Sequence, residues 1–320
     1  MSDKLTEEIK RTRNIKDNSI KAYVISLKKI AQGMGIEELP DNFEFLTEYK
    51  KVMEVISKLQ LTTKKNYLTA VLVGLGTDEK YNKVKEKYGK DLDELSQQYR
   101  DWLNEQKKSK TQEDNWLDLD AVLKVRQELK DDVNKYKIAT MKNPTDKDLN
   151  MYQKYLVLSL YTLLKPLRND YSGDTMEIIT EREYKKLKES DETKKNWLVR
   201  KSKDKMYFII NLYKTSQKHG SLNIDVDNAE LVKIIDNWIK LNPTKYFLIN
   251  RDDSPMSSNG LTKFINTIFK NTGKKIGASM LRHIYLSDKH KNDKSIKEKE
   301  ADAKEMGHSV KMAEQYVKKD

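Results

Sequence analysis

Two short stretches near the C-terminal end decide the fold that this sequence predicts: Ser279-Met280-Leu281-Arg282-His283 and Met306-Gly307-His308-Ser309, the second followed by Tyr316. Ser279 and Arg282 are three residues apart in a segment with helical spacing, so they share one face of a helix. Apolar residues surround Arg282 in this segment, which is unusual for a solvated charge. Only nine of the 62 basic residues are arginine, so an arginine in an apolar setting indicates a need for its planar, two-pronged donor.

Arg168 has a similar setting, because it follows the strongly apolar run from Met151 to Leu167, which Pro166 interrupts. This pattern predicts a buried helix ending at Arg168. The structural alternative is an arginine that interacts with the last carbonyls of that helix. Lys214 lies between two β-like runs, Met206 to Tyr213 and Ser221 to Val226, and is expected at the tip of a hairpin.

The composition indicates a partner class and excludes several kinds of chemistry. A net charge of +12 suits a polyphosphate partner such as double-stranded DNA, although a solvated lysine-rich surface is the alternative. Cysteine is absent, which excludes disulfides and thiolate chemistry. No apolar stretch is long enough to span a membrane and no secretion leader is evident, so we expect an intracellular protein that is not secreted, in the cytoplasm or a host nucleus.

The spacing of apolar residues predicts a mainly α fold with a small β-sheet (α+β). Helical spacing dominates from Asn18 to Tyr99, and a polar run from Gln106 to Asp114 interrupts it. We therefore predict a helical domain over residues 1–107, a linker over 108–114 and a mixed α/β domain over 115–320. In the second domain, strand-like runs include Thr175 to Ile179. Helices are expected at 230–241, 258–270, 278–288 and 309–319.

Five residues together have the chemistry for cleaving a phosphodiester bond without a metal ion or other cofactor: Arg168, Lys214, Arg282, His308 and Tyr316. Such cleavage needs a nucleophile, cationic groups that stabilise the negative charge on the non-bridging oxygens, and a proton for the leaving oxygen. A tyrosine hydroxyl has a pKa of about 10 in water, so neighbouring cations favour its attack. Considered one at a time, His308 could be a residue that begins a helix, and Tyr316 could be a packing residue. His283 could support the core or be a second polar group in the site.

These segments resemble the tyrosine recombinases, a family that includes phage integrases and chromosome-dimer-resolving recombinases. Tyr161 to Arg168 resembles the family's first arginine box, Leu212 to Thr215 its β-hairpin lysine, and the segments around Arg282, His308 and Tyr316 its C-terminal boxes. A helical core-binding domain followed by a catalytic domain also resembles the family layout. The lysine-rich composition is similar to that of integrase-like genes from large DNA viruses and other mobile elements.

The resemblance implies that Arg168 and Arg282 bind the scissile phosphate and that Lys214 protonates the leaving oxygen. His308 would add a hydrogen bond and Tyr316 would form a 3′-phosphotyrosine. Where this chain has Ser279 the family usually has histidine, and His283 cannot replace it because adjacent helical residues point about 100° apart.

Three functions stay open at this point. The first is a site-specific recombinase or integrase that acts on double-stranded DNA as a homotetramer. The second is a type IB topoisomerase-like enzyme that acts as a monomer. The third is a catalytically weakened DNA-binding protein on the same scaffold.

Overall fold

The computed structural model describes Thr6, Glu7, Ile9, Lys10 and residues 17–40, 42–290, 296–307 and 309–318. The chain divides into two compact units, Met1–Glu105 and Gln106–Asp320, and each has its own hydrophobic core. A separate buried core is what makes each unit a domain in the physical sense. Within the described part of the chain, no helix combines the length and the apolar character required to cross a membrane.

The described part of the first unit is helical. Its helices are α1 (Asp17–Gly33), α2 (Tyr49–Ser57), α3 (Leu61–Gly74) and α4 (Asn82–Asn104), with short 3-10 turns at Glu44–Thr47 and Glu79–Tyr81. In α1, the residues Ile20, Val24, Leu27 and Ile30 recur every three or four positions and all are buried. This spacing places them on one face of the helix, which packs on the core. The predicted helical character of this half is confirmed.

The second unit combines eleven named helices in its described residues with one small sheet. The helices are α5 (Lys110–Asn115), α6 (Leu119–Lys135), α7 (Asp146–Leu163), α8 (Glu181–Tyr184), α9 (Glu189–Glu192), α10 (Ser216–His219), α11 (Ala229–Leu241), α12 (Ser258–Ile268), α13 (Ala278–Lys289), α14 (Ile296–Glu305) and α15 (Val310–Tyr316), with 3-10 turns at Ile138–Thr140 and Lys270–Thr272. The strands are β1 (Met176–Thr180), β2 (Asn196–Ser202), β3 (Lys205–Ile210) and β4 (Leu222–Asp225). The predicted fold class, mainly helical with a small sheet, is confirmed.

Part of the segment predicted as a linker is helical. Helix α5 begins after Ser109, whose hydroxyl accepts a hydrogen bond from the Gln112 amide, while the Gln112 side chain accepts one from the Ser109 amide. This reciprocal capping satisfies backbone donors at the start of a helix even where the sequence is polar. The structure assigns this helix to the second unit, whose boundary falls between Glu105 and Gln106.

Helix α7 forms the centre of the second unit, and it ends earlier than the sequence predicted. Its residues Leu156, Leu158 and Leu160 are fully buried, as expected for a helix covered on several sides. The helix stops at Leu163, and Leu164 is extended. Pro166 cannot donate a backbone hydrogen bond and disfavours a helical conformation in the residue before it. Arg168 therefore lies in the loop after the helix, and its predicted position at the helix end is wrong.

The sheet has the strand order β1-β2-β3-β4, with β1 and β2 parallel and the other two pairs antiparallel. The sequence analysis predicted β1, β3 and β4 but missed β2, which lies between β1 and β3. Its first residues, Asn196 to Val199, are buried. A strand buried on both faces has a continuous apolar run without alternation, which sequence periodicity does not distinguish from a helix.

Two different connections therefore flank β3. Lys203 and Asp204 form a tight turn between β2 and β3, whereas residues 211–221, including α10, join β3 to β4. Lys214 lies in the longer connection, as predicted, but the tight hairpin of the sheet is the one that carries Lys203.

The last two helices enclose a small core of their own. Leu286 of α13 packs there with Ala303 and Met306, and with Ala313 and Val317. The buried Asp302 carboxylate of α14 forms ion pairs with the Lys165 ammonium at 3.1 Å and the Lys289 ammonium at 3.3 Å. These ion pairs fasten α14 to the loop after α7 and to the end of α13.

Candidate active site

Arg282 is the most buried charged side chain in the described structure, with no exposed surface. Apolar neighbours in α13 place it inward, between the buried Leu281 and Ile284. Its three guanidinium nitrogens have no hydrogen-bond acceptor among the described residues. Burial lowers the pKa of Arg282 to about 10, so the side chain remains charged at neutral pH. A buried cation with unused donors is costly unless an anion joins it.

Arg168 is held beside this group by its loop. The Tyr161 hydroxyl donates a hydrogen bond of 2.6 Å to the Arg168 carbonyl. The next residue, Asn169, donates from its side chain to the Ser258 carbonyl at 3.0 Å and to the Thr262 hydroxyl at 2.9 Å, both in α12. One guanidinium nitrogen of Arg168 is also buried without an acceptor in the described part of the chain. The two arginines therefore present unused donors in the same region.

Asp170 supplies the nearby negative charge. Burial raises the pKa of the Asp170 carboxyl, while the positive charges of Arg168 and Arg282 act against that rise. The rings of Tyr161 and Tyr171 stand edge to face beside it, with centroids 6.0 Å apart. Burial raises the pKa of both phenols, so both stay neutral. Arg282 thus lies near two tyrosines, and both arginines lie near one partly buried carboxylate.

Tyr316, at the end of α15, lies directly on the second arginine. The central guanidinium carbon of Arg282 is 4.7 Å from the centroid of the Tyr316 ring, a cation–π contact. The nucleophile predicted from the sequence is therefore in contact with a predicted phosphate-binding residue.

His283 contacts the same tyrosine. Its ring centroid is 4.7 Å from that of Tyr316, and its Nδ1 lies 2.8 Å from the Tyr316 carbonyl oxygen. Since a carbonyl can only accept, Nδ1 carries the proton. Burial lowers the pKa of His283 to about 4, and the positive charges of Lys318 and Arg282 act in the same direction. The sequence left His283 with two possible roles, and the structure places it beside Tyr316.

The remaining predicted site residues are either exposed or outside the described part of the chain. Ser279 is exposed in the first turn of α13, and Lys214 is exposed. The neighbour of Lys214, Thr215, donates a hydrogen bond of 2.9 Å to the Gly307 carbonyl, which brings the β3–β4 connection against the segment leading to α15. His308 lies outside the residues that the structure describes.

Lys203 is a lysine that the sequence analysis did not select. It occupies the turn between β2 and β3, flanked by Lys201 and Lys205. Lys203 was not selected because the sequence analysis missed strand β2, and without β2 the turn between β2 and β3 is not predicted. The structure therefore offers two lysines in strand connections, Lys203 and Lys214, and the role predicted for Lys214 stays a prediction.

The arrangement can bind one tetrahedral anion between two arginines beside a tyrosine. Among the described residues, no group of three histidine, aspartate or glutamate side chains lies close enough together to bind a metal ion. The two arginines and Tyr316 can supply electrostatic stabilisation and attack by a phenolic oxygen.

Comparison with known proteins supports the same architecture. No protein-family model and no curated protein matches the sequence. Among solved structures, the chain is similar to XerH site-specific recombinase bound to palindromic difH substrate in a post-cleavage complex, with 15% identity, a TM-score of 0.51, and coverage of 100% of this chain and 82% of that one. The pre-cleavage complex of XerH with difH gives 17% identity, a TM-score of 0.49 and coverage of 99% and 81%.

XerA recombinase gives 15% identity, a TM-score of 0.38 and coverage of 100% and 93%. At these identities the similarity shows the fold alone. It rests on the XerH post-cleavage complex, which has a TM-score of 0.51. The chain has the tyrosine recombinase fold.

Proposed function

We propose that this protein is a site-specific DNA recombinase that cleaves and rejoins DNA through a covalent bond between Tyr316 and a 3′-phosphate. The observation that carries the proposal is the fully buried Arg282, whose guanidinium nitrogens have no acceptor among the described residues and whose central carbon lies 4.7 Å from the centroid of the Tyr316 ring. A DNA phosphate would supply the missing acceptor. The structurally similar XerH post-cleavage complex is a site-specific recombinase bound to its palindromic difH substrate, which favours DNA over other phosphate esters.

In the proposed reaction, the partly exposed Tyr316 hydroxyl gives its proton to solvent, its oxygen attacks the scissile phosphorus, and the bond to the 5′-oxygen breaks. Arg168 and Arg282 hold the non-bridging oxygens and stabilise their charge in the transition state. The leaving 5′-oxygen takes a proton from a lysine, Lys214 or Lys203, and becomes a hydroxyl. The phosphotyrosine then retains the energy of the broken ester, so a second 5′-hydroxyl can displace the tyrosine without ATP. His308 is proposed to add a hydrogen bond to the phosphate.

The two units would divide the work. We propose that the helical first unit is the core-binding domain and that the second unit is the catalytic domain. The net charge of +12 supports binding to the phosphate backbone. Strand exchange between two duplexes requires four active sites, so a tetramer on DNA is part of this proposal.

The test is incubation with a pool of nicked duplexes in EDTA, followed by denaturing electrophoresis and peptide mapping of any covalent adduct. Wild type is expected to form an adduct at Tyr316, and Tyr316→Phe is expected to bind the same DNA without forming one. An adduct that persists in Tyr316→Phe would contradict the proposal. Salt-sensitive binding without any adduct would indicate a DNA-binding protein on this scaffold. A single protomer on the DNA, with resealing of the same strand, would instead indicate a topoisomerase.

A further inference from the structure

The backbone around Tyr316 is held at two points by a single face of α13. At the first point, the His283 Nδ1 donates to the Tyr316 carbonyl at 2.8 Å. At the second, the Ser287 hydroxyl oxygen accepts a hydrogen bond of 2.7 Å from the Lys318 amide. His283 and Ser287 are four residues apart, so their side chains lie on the same face of the helix.

The first contact meets a need that any helix end has. Helix α15 ends at Tyr316, and the last carbonyls of a helix have no partner within it. His283 supplies a donor to the carbonyl of the very residue that carries the proposed nucleophile. Its ring also lies against the Tyr316 ring, opposing rotation of that side chain. One histidine therefore fixes both the backbone and the ring of Tyr316.

The second contact continues the attachment beyond the helix. Val317 is buried in the small core formed with Leu286 and Ala313. Ser287 and Lys318 are both buried, so their hydrogen bond is shielded from water. A shielded hydrogen bond is costly to break without a replacement partner. The three residues from Tyr316 to Lys318 are thus anchored on both sides of Val317.

We propose that His283 and Ser287 are positioning residues that form a two-point clamp, holding Tyr316 against Arg282 of its own chain. The clamp deepens the proposed recombinase function and rests on it for its catalytic consequence. Holding a nucleophile in the attacking geometry raises the reaction rate without strengthening substrate binding. Loss of the clamp is therefore expected to slow formation of the covalent adduct and to leave DNA affinity unchanged.

Paired substitutions separate the contacts. His283→Phe keeps an aromatic ring and removes the donor, whereas His283→Asn keeps a donor near the position of Nδ1 and removes the ring. Ser287→Ala removes the acceptor, and Ser287→Thr retains a hydroxyl. Ser26→Ala is the matched control, because the Ser26 hydroxyl bonds to the Ala22 carbonyl within α1 of the first unit.

The first measurement is amide hydrogen exchange over residues 309–318 in the free, full-length protein. The Lys318 amide is expected to exchange at least about tenfold faster in Ser287→Ala, which corresponds to the loss of one buried hydrogen bond. Ser287→Thr and Ser26→Ala are expected to exchange like wild type. His283→Phe is expected to speed exchange at the end of α15, with partial protection in His283→Asn. Unchanged exchange in both Ser287→Ala and His283→Phe would overturn the clamp.

The second measurement is single-turnover adduct formation on a nicked duplex at saturating protein, with the DNA dissociation constant measured in parallel. His283→Phe and Ser287→Ala are expected to react roughly tenfold more slowly at unchanged affinity, and Ser287→Thr to recover most of the rate. Equal rates in all variants would overturn the positioning role. Failure of the proposed function would be distinct, because wild type itself would form no adduct while hydrogen exchange still reported on the clamp.

Discussion

The guanidinium of Arg282 lies over the ring of Tyr316, 4.7 Å from its centroid, although the two residues are on different helices. The contact joins a fully buried cation to a partly exposed phenol. In the proposed reaction, this contact places the phosphate-binding Arg282 beside the nucleophile, Tyr316.

Replacing Arg282 by methionine is expected to abolish adduct formation and to stabilise the fold. The free energy of unfolding should rise by about 1–2 kcal/mol, because an apolar side chain replaces a buried charge that lacks acceptors among the described residues. Denaturant titration monitored by circular dichroism measures this. Arg200→Met is the control, since Arg200 pairs with the buried Asp236 and its loss should destabilise. A marked destabilisation by Arg282→Met would show that this guanidinium supports the fold.

The two lysines in strand connections can be separated by the chemistry of the leaving group. Lys203→Ala or Lys214→Ala is expected to slow cleavage if that lysine protonates the 5′-oxygen. Placing sulfur at the 5′-bridging position should restore the rate in that variant alone, because a thiolate leaves without being protonated. Single-turnover cleavage of the two substrates gives the ratio for each variant. A lysine whose loss slows both substrates equally is not the proton donor.

Gly307 is expected to tolerate no side chain. Its φ is +67°, and a Cβ there would lie 2.9 Å from the Tyr213 ring. Gly307→Ala should therefore lower the free energy of unfolding by about 1–3 kcal/mol. The matched control is Gly89→Ala in α4, where no atom lies within 4 Å of a new Cβ and where alanine should stabilise by about 0.5–1 kcal/mol. Thermal unfolding of both variants measures the difference, and equal effects would contradict the packing.

The neutral state of His283 predicts a pH-dependent stability. Burial lowers its pKa from 6.5 to about 4, so between these values the unfolded chain binds more protons than the folded chain. The stability linked to His283 is complete above about pH 6.5 and is lost as the pH falls towards 4, by up to about 3 kcal/mol. Subtracting the pH profile of His283→Phe from that of wild type isolates the effect. A flat difference between pH 4 and 7 would refute it.

Much of the architecture could be predicted from the sequence because helical periodicity is a local property. Ile20, Val24, Leu27 and Ile30 revealed a buried helix face through spacing alone, and that face is buried. The order of Arg168, Arg282 and Tyr316 likewise indicated a phosphate-cleaving site. Their side chains must be of particular kinds for that chemistry, and residue type is visible in the sequence.

Local patterns failed where a distant partner or a chain-breaking residue intervened. The β2 strand was missed because its buried residues do not alternate, and with it the turn that carries Lys203. The predicted helix α7 extended too far towards Arg168, because the apolar run continues past Leu163, where the helix ends ahead of Pro166. In both cases the side chains were apolar, and the backbone hydrogen bonds decided whether the segment was a strand or where the helix ended.

By itself, the sequence determined which residue types are present, their helical faces and the order of the candidate catalytic groups. Only the tertiary structure decided that Arg282 is buried without an acceptor among the described residues and that His283 bonds to Tyr316, 33 positions along the chain. The physical reason is that helical periodicity depends on neighbours three or four positions away. Burial and hydrogen bonding between distant residues depend on how whole helices pack.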